Sequence, residues 1–60
     1  MFVIVILLDG DTRSVNTRSI DYIEPFGAKD SRIHLSNEEV FEVKGELEWL
    51  TRQFNAVERS

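Results

Sequence analysis

The segment Ile6 to Gly10 (I-L-L-D-G) returns 27 positions later as Ile33 to Asn37 (I-H-L-S-N), and the residues that follow each copy also correspond. Ile20 and Ile23 stand at the same offset from Leu47 and Leu50, and Val15 matches Val43 if the second turn is one residue longer. A chain of 60 residues that states one pattern twice commits most of its length to a scaffold, because each copy supplies strand, turn, strand and an apolar follow-on segment. Little is left for chemistry.

The same brevity limits stability. A chain this short buries only about 60% of the surface it exposes when unfolded, so one domain with a marginal core is expected, helped by a staple or a partner. There is no cysteine for a disulfide or a thiolate metal site, and one histidine is too few for a histidine-rich centre. Self-association is the staple that remains. Acids outnumber bases 11 to 7, which disfavours nucleic acid, since non-specific binding to it rests on Lys and Arg neutralising phosphates. The apolar run Phe2 to Leu8 is far below the ~20 residues of a membrane span, and no basic segment precedes it as in a signal peptide. A cytoplasmic protein without a membrane span is expected.

Phe2-Val3-Ile4-Val5-Ile6-Leu7-Leu8 is rich in β-branched residues and lacks polar alternation, the pattern of a strand covered on both faces. One small sheet with one helix covers only one side of it, so a second subunit or a curled sheet is expected over the other. Asp9-Gly10-Asp11 suits a tight hairpin turn, and Thr12 to Asn16 returns as a more polar strand with Val15 inward, giving hairpin one over 2–16. A short turn and strand occupy 17–24, the turn capped by Asn16 or Thr17. Residues 25–31, with Pro25 and Gly27, have the composition of a loop. Hairpin two spans 32–43, with Phe41 and Val43 inward. Leu47, Leu50, Phe54 and Val57 then form one stripe of a helix over 45–57, with Glu48 and Arg52 a four-residue pair. The expected fold is α+β, mostly β: two β-hairpins in one small curved antiparallel sheet with a C-terminal helix packed on it.

Candidate sites follow from residue type. Phe2, Ile4, Ile6 and Leu8 are the expected oligomer interface, by strand addition at an exposed apolar edge. Trp49, Arg52 and Phe54 on the helix are the expected partner contacts, since Trp and Arg are enriched where interfaces carry their energy. Arg13, Arg18 and Arg32, with Lys29, are the bases available for an anion. His34 sits on a strand with no serine or cysteine motif beside it, and reads as a surface residue rather than a general base. Asp9, Asp11, Glu38 and Glu39 occupy equivalent turns but lack the spacing of a calcium loop, so no metal site is expected. Neither Gly10 nor Gly27 belongs to a phosphate-cradling motif, and no cofactor is expected.

L-x-G near the start, V-N at Val15-Asn16, I-x-x-I-E at Ile20 to Glu24, I-x-L-S-N at Ile33 to Asn37 and F-x-V-K at Phe41 to Lys44 together resemble the small FlbD-like flagellar proteins. The resemblance runs from Val5 to about Leu50 and implies a short β-rich chain ending in a helix that acts by protein contact on motility. The sequence departs from that family at Glu38, where the family has the glycine of an N-G turn, and in the Trp-bearing helix. I-D-Y-I-E, I-H-L and F-E-V-K-G-E-L-E-W-L are also similar to the first half of a LytTR-type DNA-binding domain. The later strand and basic residues with which that domain meets DNA have no counterpart here.

The function expected from these features is a small non-enzymatic protein-protein interaction module working as a homo-oligomer, an accessory or inhibitor protein of a bacterium or phage. The alternative is an oligomer that binds a small anion or nucleotide in a pocket between subunits.

Overall fold

The computed structural model describes residues 1–59, with side chains through Val57. In order it contains β1 (Phe2–Ile6), β2 (Thr12–Asn16), a 3-10 turn (Thr17–Ser19), β3 (Ile20–Phe26), β4 (Asp30–Leu35), β5 (Val40–Lys44) and α1 (Leu47–Arg59). The fold is α+β and mostly β, as the hydrophobic patterning implies. The single curved sheet is in fact divided. β1 pairs with β2, β3-β4-β5 form an antiparallel meander, and Leu7 bridges to Val43 between them. That bridge sets the end of the first hairpin against β5, where the two sheets meet.

The inner faces of the two sheets hold the core. Val5, Val15, Ile33 and Val43 meet Leu50 and Phe54 of α1, and Val3, Leu7, Ile20, Ile23, Leu35 and Phe41 pack round them. The helix is there because its apolar residues recur at steps of three and four, which places Leu50 and Phe54 on the buried stripe.

The repeat has a structural basis, but its offset is 28 residues rather than 27. Leu7 N–H donates to Asp11 O at 2.7 Å and Gly10 N–H to Leu7 O at 3.0 Å; Leu35 N–H donates to Glu39 O at 2.8 Å and Glu38 N–H to Leu35 O at 3.1 Å. In each turn a side chain two residues back caps the last donor, Asp9 Oδ1 accepting from Asp11 N–H and Asn37 Oδ1 from Glu39 N–H, both at 3.0 Å. Gly10 and Glu38 occupy the same left-handed position, at φ 94° and 71°. These are three-residue hairpin loops of one type. The offset of 28 also superposes Val5 on Ile33 and Val15 on Val43, all four buried, without an inserted residue.

Two expected boundaries move. Pro25 and Phe26 lie in β3, paired with Ser31 and Asp30, so the loop expected over 25–31 shrinks to a turn about Gly27 to Lys29. Pro25 is tolerated because β3 is an edge strand, where no neighbour requires its missing N–H. The helix begins at Leu47 rather than 45, since Gly45 takes φ 124° and cannot be its first turn. Among the described residues no helix is long and apolar enough to cross a membrane.

Candidate interaction surface

Strand alternation sends Val3, Val5 and Leu7 inward and leaves Phe2, Ile4 and Ile6 on the outside of β1. Phe2 is 65% exposed, Ile4 74% and Ile6 47%, and Leu8 continues the row into the turn. The register explains why nothing within the chain covers them. Their cross-strand partners are Asn16, Ser14 and Thr12 on β2, all short and polar. The curled sheet therefore covers one face of this strand only. β1 is also occupied along one edge by β2 and met by β5 at Leu7, so the surface it offers is its outer face more than a free edge.

At the end of that row a groove of about 500 Å³ opens between Ile6 and Trp49, with Lys29, Lys44, Gly45 and Glu46 around it. Its geometry comes from the join between β5 and α1. Gly45 N–H donates to Lys29 O at 3.2 Å, and the hydroxyl of Ser31, which is fully buried, donates to Gly45 O at 2.7 Å. A Cβ on Gly45 would lie 3.2 Å from Trp49 Cε3 and 3.3 Å from Leu50 Cγ. The indole therefore rests over bare backbone, half of it open to solvent. Lys44 and Gly45 carry no role in the sequence reading; the signal was the spacing of Gly45 and Trp49, one helical turn apart.

The other predicted contact residues separate. Arg52 is open to solvent, 4.0 Å from Glu48. Phe54, at 9% exposure, packs in the core on the stripe it shares with Leu50, away from Trp49 and Arg52 on the exposed side of the helix. The arginines are not gathered into one anion site. Arg13 shares the inner face of β2 with Val15 and lies over the ring of Phe41 at 5.1 Å. Arg32 lies on the outer face of β4, and Arg18 is exposed in the 3-10 turn.

The outer face of the meander carries paired polar and aromatic side chains. Arg32 reaches Glu24 at 3.2 Å and Glu42 at 3.6 Å, with its guanidinium 4.7 Å from the Phe26 ring centre. His34 stacks on Tyr22 at 4.0 Å, and its buried Nε2 stands 3.3 Å from Glu24 Oε1 without the angle of a good hydrogen bond. The approach of His34 is the main cause that holds the Glu24 carboxyl below its ordinary range; Arg32 adds to it and partial desolvation opposes it. The stacked pair spans the β3–β4 boundary, where Tyr22 and His34 are cross-strand neighbours. A second groove, about 270 Å³, lies between β3 and α1 and is lined by Ile20, Ile23 and Phe54 with Thr17, Tyr22, Thr51 and Asn55. Among the described residues no three His, Asp or Glu side chains are placed to hold a metal ion, the four turn carboxylates included.

Comparison with protein-family models, with curated proteins and with solved structures gave no match.

Proposed function

We infer that the protein is a small interaction module that works as a homo-oligomer through the outer face of β1, with Trp49 and Arg52 beside it as contacts for a further protein. The observation that supports this reading is the row Phe2, Ile4, Ile6, exposed on a strand whose other face is buried core. Full burial of each such side chain is worth about 1.5–3 kcal/mol, so an uncovered row in a domain with so small a core is a strong drive to associate. The accessory role implied by the resemblance to FlbD-like proteins belongs with this reading, since such a role is exercised by contact rather than turnover. The acidic balance of the chain and the separation of Arg13, Arg18 and Arg32 weigh against the nucleotide-binding alternative.

Sedimentation tests it. The wild-type chain should run above 7 kDa at micromolar concentration, and Ile4→Asp should run as a folded monomer, since the substituted side chain faces solvent. A wild-type monomer of undiminished stability would sink the reading. Trp49→Ala should weaken partner capture more than it weakens the fold.

A further inference from the structure

The geometry points to a head-to-tail contact in which the turn Leu8-Asp9-Gly10-Asp11 of one copy seats in the Ile6–Trp49 groove of the next, its two carboxylates meeting Lys29 and Lys44. This deepens the proposed self-association and rests on it: the protein that meets Trp49 is then a second copy of the chain, through a second surface with a polarity.

Charge carries the argument. Arg13, Arg32 and Arg52 already face an aromatic ring or a carboxylate. Lys29 and Lys44 flank the groove, and among the described residues neither forms an ion pair. Asp9 and Asp11 stand exposed on the turn, also without an ion pair, beside a Leu8 that is 40% exposed. The molecule thus shows two complementary halves of a contact, each an apolar side chain with two unpaired charges. Glu46 is the one carboxylate in the groove, and the two ammonium groups outnumber it. A net charge of −4 makes copies repel, and a contact between the acidic turn and the basic groove locally reverses that repulsion.

One molecule cannot fill its own groove. The turn lies against Val40, Phe41 and Glu42 at the start of β5, whereas the groove lies at Lys44, at its end. Two backbone hydrogen bonds and the Asp9 cap hold the turn rigid, so little conformational entropy is lost when it is seated. Because the two surfaces differ, the contact is heterologous and propagates into a ring or a filament.

The test is a charge swap on the full chain, read by sedimentation with circular dichroism as the check on folding. D9K/D11K alone and K29E/K44E alone should each weaken association about tenfold. Their equimolar mixture should regain it, because both contacts between unlike copies then pair opposite charges. D9N/D11N keeps the turn cap and should show a smaller loss. Salt at 0.5 M should weaken the wild-type contact. If the variants associate like wild type while Ile4→Asp still dissociates the protein, this contact is wrong and the β1 reading stands. Failure of the mixture to recover also overturns the contact, and a wild-type monomer overturns both.

Discussion

The two hairpins share a turn, a register offset and an inner face, yet they end up with opposite outer faces. On the β4 side, Arg32 has Glu24 across one strand boundary and Glu42 across the other, and His34 has Tyr22, so long side chains find partners on the surface itself. On the β1 side, Phe2, Ile4 and Ile6 stand opposite Asn16, Ser14 and Thr12, too short to cover them. The difference teaches that one scaffold is being used for two purposes: the second hairpin completes the fold and the first presents surface. A neighbour on both sides of β4, against one and a single bridge for β1, is the physical cause.

Substitutions at matched positions would break or sharpen this contrast. The largest effect is expected inside, at the superposed pair Ile33 and Val5. Ile33→Ala should cost about 4 kcal/mol and Val5→Ala about 2 kcal/mol. A chain of this size has only roughly 3–9 kcal/mol in total. Urea denaturation should therefore find the first variant largely unfolded and the second folded; equal losses would mean that the hairpins contribute equally to the core. The turns come next. Gly10→Ala should destabilise by about 1 kcal/mol and Glu38→Gly should stabilise by a similar amount, because both positions are left-handed and only one has the residue that suits it. A neutral result at Glu38, measured by thermal melting, would show that the Glu side chain offsets its strain.

The smallest effect belongs to the outer face of the meander. The Glu24 carboxyl is held below its ordinary value of 4.5, so the stability it contributes is present above that pH and is lost as pH falls through the lowered folded value. His34→Ala should raise the Glu24 pKa and flatten that acid limb. Carboxyl NMR titration would check it, and an unmoved Glu24 would assign the shift to Arg32.

Much of this was legible in the chain. Alternation located Val15, Phe41 and Val43 on the inner face, and the three- and four-residue spacing located Leu50 and Phe54. What was not legible depends on neighbours. The offset of 28 is masked because Ile6 and Ile33 look alike although one faces out and the other in; only pairing tells the two faces of an all-apolar strand apart. Pro25 signals a loop until β3 is known to be an edge. Phe54 serves equally well as core or contact until the helix is docked. Trp49 was legible as a contact residue, but the groove beneath it depends on the turn at Gly45, which brings Lys29 and Lys44 to one place.

That stacking of the indole on Gly45 has a practical consequence. Trp49 is the sole tryptophan of the chain, and it sits at once on the joint between sheet and helix and on the wall of the groove. The protein therefore carries an unlabelled optical probe: undocking of the helix should red-shift its emission as water reaches the ring, and filling of the groove should blue-shift it. Titrating the native chain against itself in a fluorimeter would read assembly and local unfolding as signals of opposite sign.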